Sequence, residues 1–448
     1  EGDVNAIVTA LEAVAQCSRL NQSPEQFTDE FNRAQPAFRL IATPQALLLI
    51  ANQPGSTNPP VIDLYHRAAK CGTFAGRCFA WQLKVGGSEY FDHTPGISYQ
   101  MKNFTEHPDG ADFTVVWTLD QLTVNAQFQL RGARLTAKLS GSSATLPITD
   151  YLFPKLVLNK LPGQKDTAVL PHFCGTLFPL ISRGGSHRGL YPNAEMTLAC
   201  LGYYDELENG VYMAWEDPSC CIKEFLISGK QQKVELDFSS FVGISDFKQG
   251  NAFTMPGEFV LEFYRGDWFD VGQIYKKFLK TTNWYPEHPR LDSPEWYRNS
   301  VLNISNSRDN QHYPYLREYF GLPFVVVCSS PPPHFDKLRQ QDVRIKCYTN
   351  IRLWKYYSPI SSNSPKDQFD KYMGYQMSPE SQNSAIRLAD GSVCREFYSK
   401  FPWNVGCPSS TIWQNQLRQT VLEYANKGVW SAIYHDQLNS SPKRCYNP

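Results

Sequence analysis

This chain of 448 residues has no excess of either charge: Lys plus Arg and Asp plus Glu each number 43. Without a basic stripe or a cluster of cations to track phosphates, no nucleic-acid partner is expected. Long hydrophobic runs are missing as well. The longest aliphatic stretch, ALLLIA at 46 to 51, is far shorter than the ~20 residues of a membrane helix, so no membrane span is expected. The 12 cysteines include no C-x-x-C pair, which removes the usual zinc patterns. Neither a metal nor a cofactor is expected. No internal repeat with a period of about 20–50 residues is present, which excludes solenoids and propellers. An initiator Met and a signal-type apolar segment are also lacking. The chain opens at Glu1, as expected of one whose leader has been removed.

What is present points to an extracellular protein of several domains. The length exceeds one ordinary hydrophobic core, and the 14% aromatic content suits sheet-rich folds. Asn21, Asn103, Asn303 and Asn439 head Asn-x-Ser/Thr sequons, and Pro24 makes Asn21 a poor acceptor. Glycans are therefore expected at Asn103, Asn303 and Asn439. Together with an even cysteine count, these features predict secretion into an oxidising compartment. The alternative is a cytosolic protein with buried thiols. Cys71 and Cys78 enclose a short Gly-containing loop and are a candidate disulfide.

The texture changes along the chain. Residues 1–35 form an N-terminal helical segment, with helical spacing over 3–20 and a Ser-capped SPEQFTDEF after it. From 36 to 265, apolar runs alternate with Gly, Asn, Asp and Pro turns, which predicts a large antiparallel β-supersandwich. TLDQLTVNAQFQLRGARLTAKLSG keeps a two-residue period and reads as a meander. Residues 266–298 hold a helix, with Phe269, Val271, Ile274, Tyr275 and Phe278 on one face, and a Pro-containing linker. Over 299–448 the strands SVLNIS, LPFVVVCSS, VRIKCYTNIRLW and VWSAIYHDQ are separated by helical patterns, the signature of a parallel sheet. The fold class is thus multidomain β plus α/β. A TIM-type barrel takes about 250 residues, so this region supplies only the first four βα units.

Several segments in order resemble a poorly characterised glycoside-hydrolase-like family that joins a mutarotase-like β-sandwich to a (β/α)8 barrel. They are YPNAEMTLACLGYYDELENGVYMAWEDP (191–218), YRGDWFDVGQIYKKF with SPEWYRN, YTNIRLW (348–354), CPSSTIWQNQL (407–417) and IYHDQLNSSPKRC (433–445). The similarity covers residues 190–448 with gaps; the first 190 residues match only in texture. It implies kinship with the retaining glycosidases of clan D, in which a nucleophilic Asp sits at the tip of barrel strand four. That position is Asp436, and the general acid of the relatives comes from strand six, beyond this chain. The resemblance also implies a Cys407–Cys445 disulfide. Ser431-Ala432 replaces an expected Asp-Gly, and His435 replaces an apolar residue.

The residues support this expectation on their own terms. Parallel barrel strands present their C-terminal ends to one face, where a carboxylate meets whatever the loops enclose. Asn350, Arg352, Trp354 and Gln437 are the candidate carbohydrate-binding residues beside Asp436. The structural alternative makes Asp436 a turn-capping carboxylate and Arg352 half of a salt bridge. His435 neighbours Asp436 but points to the opposite face of the strand, and is expected to pack against helices. A sheet of four parallel strands leaves an open edge, so a second polypeptide fragment or subunit is expected to complete the barrel. Two functions stay open: a secreted glycoside hydrolase, or an inactive extracellular structural or carbohydrate-binding glycoprotein on the same scaffold.

Overall fold

The computed structural model describes residues 32–33, 38–51, 61–66, 71–72, 79–244, 248–286, 293–300, 302–305, 318–319, 321, 324–328, 335–354, 379–398, 401–428, 430–437, 440 and 443–446. The helices expected over 3–20 and 23–31 lie outside these residues. The chain divides into two compact units, 1–287 and 288–448.

The first unit is built from antiparallel sheets. A ten-stranded sheet runs in the order Thr176–Pro179, Asp166–Leu170, Cys200–Asp205, Asn209–Glu216, Glu258–Arg265, Arg134–Ser143, Leu122–Arg131, Gly110–Leu119 and Ser98–His107, with Ala252–Thr254 paired to Arg134–Ser143. A six-stranded sheet orders Gly185–Tyr191, Lys223–Lys230, Lys233–Phe241, Ile148–Asn159, Ala80–Val85 and Ser88–Phe91. A smaller four-stranded sheet begins at Phe38–Ala42. The meander forms in register, with Leu135 opposite Leu130 and Phe113 opposite Phe128. Its two-residue period puts Val124, Ala126, Phe128 and Leu130 inside and the polar residues between them outside.

Aromatic residues knit the two large sheets together. Trp81 of the six-stranded sheet meets Trp117 of the ten-stranded sheet edge-on at 5.9 Å. Phe238 meets Phe259 at 4.9 Å in the same manner, a geometry that places ring edges against ring faces. Pro154 has no N–H to give to the ladder, and the pairing shifts register between Leu152 and Lys155.

The helix Trp268–Leu279 follows the last long strand. Asp267 caps it by accepting from the Phe269 amide, while Asp270 reaches back to the Asp267 amide, satisfying two orphan donors of the first turn. Gly266, at φ 137°, makes the entry possible, since a Cβ there would lie 1.9 Å from the Asp270 carboxylate. Val271, Ile274 and Tyr275 bury against Tyr212, Ala214, Val260 and Tyr264. Phe269 departs from the expected face and is exposed, because it belongs to the first turn, ahead of the packed stripe.

A charge pair lies inside this unit. The Lys223 ammonium bonds Asp217 Oδ2 at 2.6 Å and the Cys221 carbonyl at 2.7 Å, and both side chains are fully buried. The rings of Tyr191 and Trp215 each lie 5.2 Å from the ammonium.

The second unit carries a parallel sheet whose strands follow sequence order: Leu302–Ser305, Phe324–Cys328, Arg344–Asn350 and Ala432–Asp436. The short helix Phe335–Gln340 connects the second and third. Between the third and fourth lie a three-stranded antiparallel sheet and the helix Thr411–Asn426. The small sheet consists of Leu353–Trp354, Phe401–Val405 and Arg395–Tyr398.

Candidate functional site

The third and fourth parallel strands end together. Their register sets Tyr348 opposite Tyr434 and Asn350 opposite Asp436. Side chains two apart on a strand share a face, so these four residues form one polar-aromatic surface at the C-terminal edge of the sheet. The tyrosine rings lie 5.9 Å apart. Tyr348 Oη donates to Asp436 Oδ2 at 2.6 Å, and Tyr434 Oη donates to Oδ1 at 3.3 Å. Burial, and then the neighbouring Asp436 carboxylate, push the Tyr348 phenol up to about 12. It stays protonated at neutral pH and serves as a fixed donor. Asp436 itself is half-buried.

The other expected site residues fall into different situations. Asn350 Oδ1 accepts from the amides of Arg352 and Leu353 at 3.0 and 2.8 Å, so its oxygen shapes the turn after the strand. Arg352 is spent elsewhere. Its guanidinium forms a two-pronged pair with Glu396, one bond being Nη1 to Oε2 at 2.6 Å. Only 9% of the Arg352 side chain is exposed, and Lys443 Nζ approaches the same carboxylate at 3.6 Å. Burial pushes the Glu396 carboxyl up, but Arg352 and Lys443 prevail and hold it below its ordinary range. Of the two roles open to Arg352, the structure shows the salt bridge. Trp354 is half-buried and packs against Trp413, with centroids 5.2 Å apart. Trp413 is buried and its indole donates to the Ile351 carbonyl. Gly406 permits that approach, since a Cβ there would meet the Trp413 ring at 2.5 Å. Gln437 follows the strand with φ 65°. His435 is exposed, not packed under helices as expected.

Cys407 and Cys445 are thiols in this structure, without the expected bridge, yet Cys445 packs against the small cluster that holds Cys407. Burial is the first cause that raises the Cys407 thiol, and the neighbouring Cys445 adds to it. Cys394 joins them in one small apolar cluster with Leu353, Ile386 and Val405. Asn103 is exposed in an irregularity of its strand at φ 53°. Asn303 lies within the first parallel strand, opposite Val325. Asn439, Cys78 and the side chain of Cys71 lie outside the described residues. Among the described residues there is no group of three or more potential metal ligands, and no helix is long and apolar enough to cross a membrane.

Tyr348, Tyr434, Glu396 and Lys443 were not singled out from the sequence. The first two carry a usable signal, because each stands two residues before a named site residue on the same strand. Glu396 and Lys443 carry none, since their link to Arg352 spans a long stretch of chain.

Three similarities to known proteins accompany this geometry. A domain of unknown function, DUF6259, matches residues 332–448. A Bacteroides thetaiotaomicron protein named "Putative glycoside hydrolase" is 24% identical over 343 residues, which is 67% of this chain and 46% of that protein. The chain thus spans about half the length of this curated relative. The α-N-acetylgalactosaminidase NagBb of Bifidobacterium bifidum resembles 91% of this chain over 71% of its own, at 11% identity and a TM-score of 0.60 in its Gal-NHAc-DNJ complex. Its ligand-free form gives 9% identity, the same TM-score and 72% of its chain. At such identities the likeness is one of fold.

Proposed function

We propose that this chain is the sandwich and the first half of the barrel of an extracellular glycoside hydrolase, with Asp436 as its nucleophile. The observation that carries the proposal is the carboxylate at the end of the fourth parallel strand, held by the phenol of Tyr348 at 2.6 Å. The similarity to a protein named as a glycoside hydrolase and the fold shared with an α-N-acetylgalactosaminidase support it. In this scheme Oδ1, which carries the longer bond, attacks the anomeric carbon while Tyr348 keeps Oδ2 in place. The glycosidic C–O bond breaks, and the leaving oxygen takes a proton from a second carboxyl group about 5 Å from the first. Water then cleaves the glycosyl ester, returning the proton to that second group. The acid is assigned to a polypeptide completing the barrel. Asn350, Trp354 and Gln437 are assigned to carbohydrate contacts, whereas Arg352 orders the site through Glu396.

The test is hydrolysis of a panel of aryl α- and β-glycosides, including the N-acetyl-α-galactosaminide, by the wild type and Asp436→Asn. A wild-type activity that falls by a factor of a thousand or more in the variant, and recovers with azide as an external nucleophile, is expected. Equal activity in both proteins would remove Asp436 from the role. The second reading, an inactive carbohydrate-binding glycoprotein, draws on Arg352 being engaged by Glu396 and predicts no hydrolysis of any member. Intact mass and peptide mapping without reduction bear on the remaining expectations. They should show a completing polypeptide, glycans at Asn103, Asn303 and Asn439, and a Cys407–Cys445 link in the secreted form.

A further inference from the structure

The outward-facing residues of the six-stranded sheet are expected to be polar, because its other face, with Trp81, Leu83, Tyr151 and Phe238, is buried in the core. Leu152, Leu190 and Phe241 break that expectation together. They point away from the core and converge on one cavity of about 420 Å³. Phe241 is 41% exposed, and Leu152 and Leu190 are half-buried. The strand register places the polar lining around them. Gln82, Leu152, Ser239, Glu224 and Leu190 stand opposite one another in a row across the sheet. Glu89, Lys84, Asp150 and Phe241 form the next row. The polar residues divide into two sets. Glu224 is engaged by Arg188 at 2.7 Å, and Asp150 accepts from the Thr149 hydroxyl. The side chains of Gln82, Lys84, Glu89 and Ser239 make no hydrogen bond or ion pair among the described residues.

The free groups are mixed in kind. The Gln82 amide and the Ser239 hydroxyl both donate and accept, the Lys84 ammonium only donates, and the Glu89 carboxylate only accepts. Arg188 offsets Glu224 and Lys84 offsets Glu89, which leaves one negative charge, on Asp150, and disfavours an anion. A simple cation only donates and would leave Lys84 unmatched. Hydroxyl groups donate and accept at once, so they match all four free side chains, while Phe241 and the two leucines call for a C–H surface. A sugar ring carries both. We propose that this cavity binds a neutral saccharide, with the C–H face of one ring on Phe241 and its hydroxyls on Gln82, Ser239, Lys84 and Glu89. The volume falls in the ~300–1,000 Å³ range of small-molecule sites, and exposed apolar groups rimmed by polar ones mark such grooves. The site belongs to the sandwich unit. It goes beyond the hydrolysis proposed for Asp436 and stands if that reading fails.

The experiment is native affinity electrophoresis of the full 448-residue chain. The gels are cast with neutral galactomannan, xyloglucan, glycogen or mixed-linkage glucan, or with acidic polygalacturonate. Retardation by at least one neutral polymer is expected, equal in the wild type and in Asp436→Asn. Phe241→Ala should weaken it at least about tenfold, and Gln82→Ala by about fivefold. Glu89→Gln, at an exposed position, supplies a variant whose folding is not in question, and should weaken retardation by a smaller factor. Retardation that is lost in Asp436→Asn but kept in Phe241→Ala would assign the binding to the other unit and overturn the proposal. So would retention by polygalacturonate alone, no retention by any neutral polymer, or unchanged retention in all three cavity variants. A concentration-dependent dimer abolished by Phe241→Ala would also overturn it, because the apolar patch would then be an interface between two copies.

Discussion

Each unit of this protein holds a cation and a carboxylate away from water, and the two pairs are built differently. In the sandwich, Lys223 and Asp217 lie six residues apart and are fully buried, with Asp217 also accepting from the amides of Ser219 and Cys221. In the parallel-sheet unit, Arg352 and Glu396 lie 44 residues apart, are 9% and 19% exposed, and recruit Lys443 from the segment after Asp436. The first pair neutralises a turn inside a continuous aromatic core. The second ties an insertion and the chain after the fourth strand to the turn that follows Asn350. One lies wholly within the sandwich; the other orders the turn beside the candidate site.

The largest effect is expected where the comparison is most lopsided. Lys223→Met leaves the Asp217 carboxylate buried and unpaired, which costs about 3–5 kcal/mol. It should appear as a large drop in the urea midpoint or as loss of soluble protein. Adding Asp217→Asn should recover most of that loss. If the single variant unfolds like the wild type, the pair is not dehydrated as described.

Arg352→Gln should cost less, about 1–2 kcal/mol once partial exposure is allowed for. It should also cut turnover while leaving the urea midpoint of the sandwich unit in place. A loss of stability with full activity would separate the clamp from the site. Smaller again is Tyr348→Phe, which removes one hydrogen bond to Asp436 and should lower kcat by about tenfold. Its diagnostic is the split between kcat and KM: kcat should fall while KM stays, because the phenol bonds the carboxylate and not the substrate. An unchanged kcat would argue against a role for that bond.

Acid sets the two pairs apart more gently. Glu396 and Asp217 are both held below their ordinary values, 4.5 and 3.8. For Glu396, burial acts upward first and Arg352 overcomes it. For Asp217, burial likewise acts upward first and Lys223 with two amides overcomes it. A carboxyl depressed in the folded state adds stability above its unfolded value and loses it as pH falls through the folded one. The clamp of the second unit should therefore begin to weaken below pH 4.5, before the pair in the sandwich does below 3.8. Hydrogen exchange across that range should show amides near Glu396 losing protection first. The reverse order would invert the comparison.

Much of this architecture was legible because it is written in neighbours. The two-residue alternation of LTVNAQFQL fixes which side chains face the core, and the Asp267–Asp270 spacing announces a helix start. Four apolar runs separated by helical patterns announce parallel strands. Asp436 was legible as a strand end. Its partner was not, because the bond to Tyr348 joins residues 88 apart.

By itself, then, the sequence determined the periodicities: antiparallel strands with one face inward, a capped helix, and a parallel sheet ending in a carboxylate. Propensity, capping and alternation act over a few residues, so a local pattern suffices to encode them. Only the tertiary structure decided that Arg352 belongs to Glu396 and that Tyr348 positions Asp436. Those pairings join residues 44 and 88 apart in the chain. Those choices depend on which distant residues the fold brings within about 3 Å of each other, a distance no local pattern encodes.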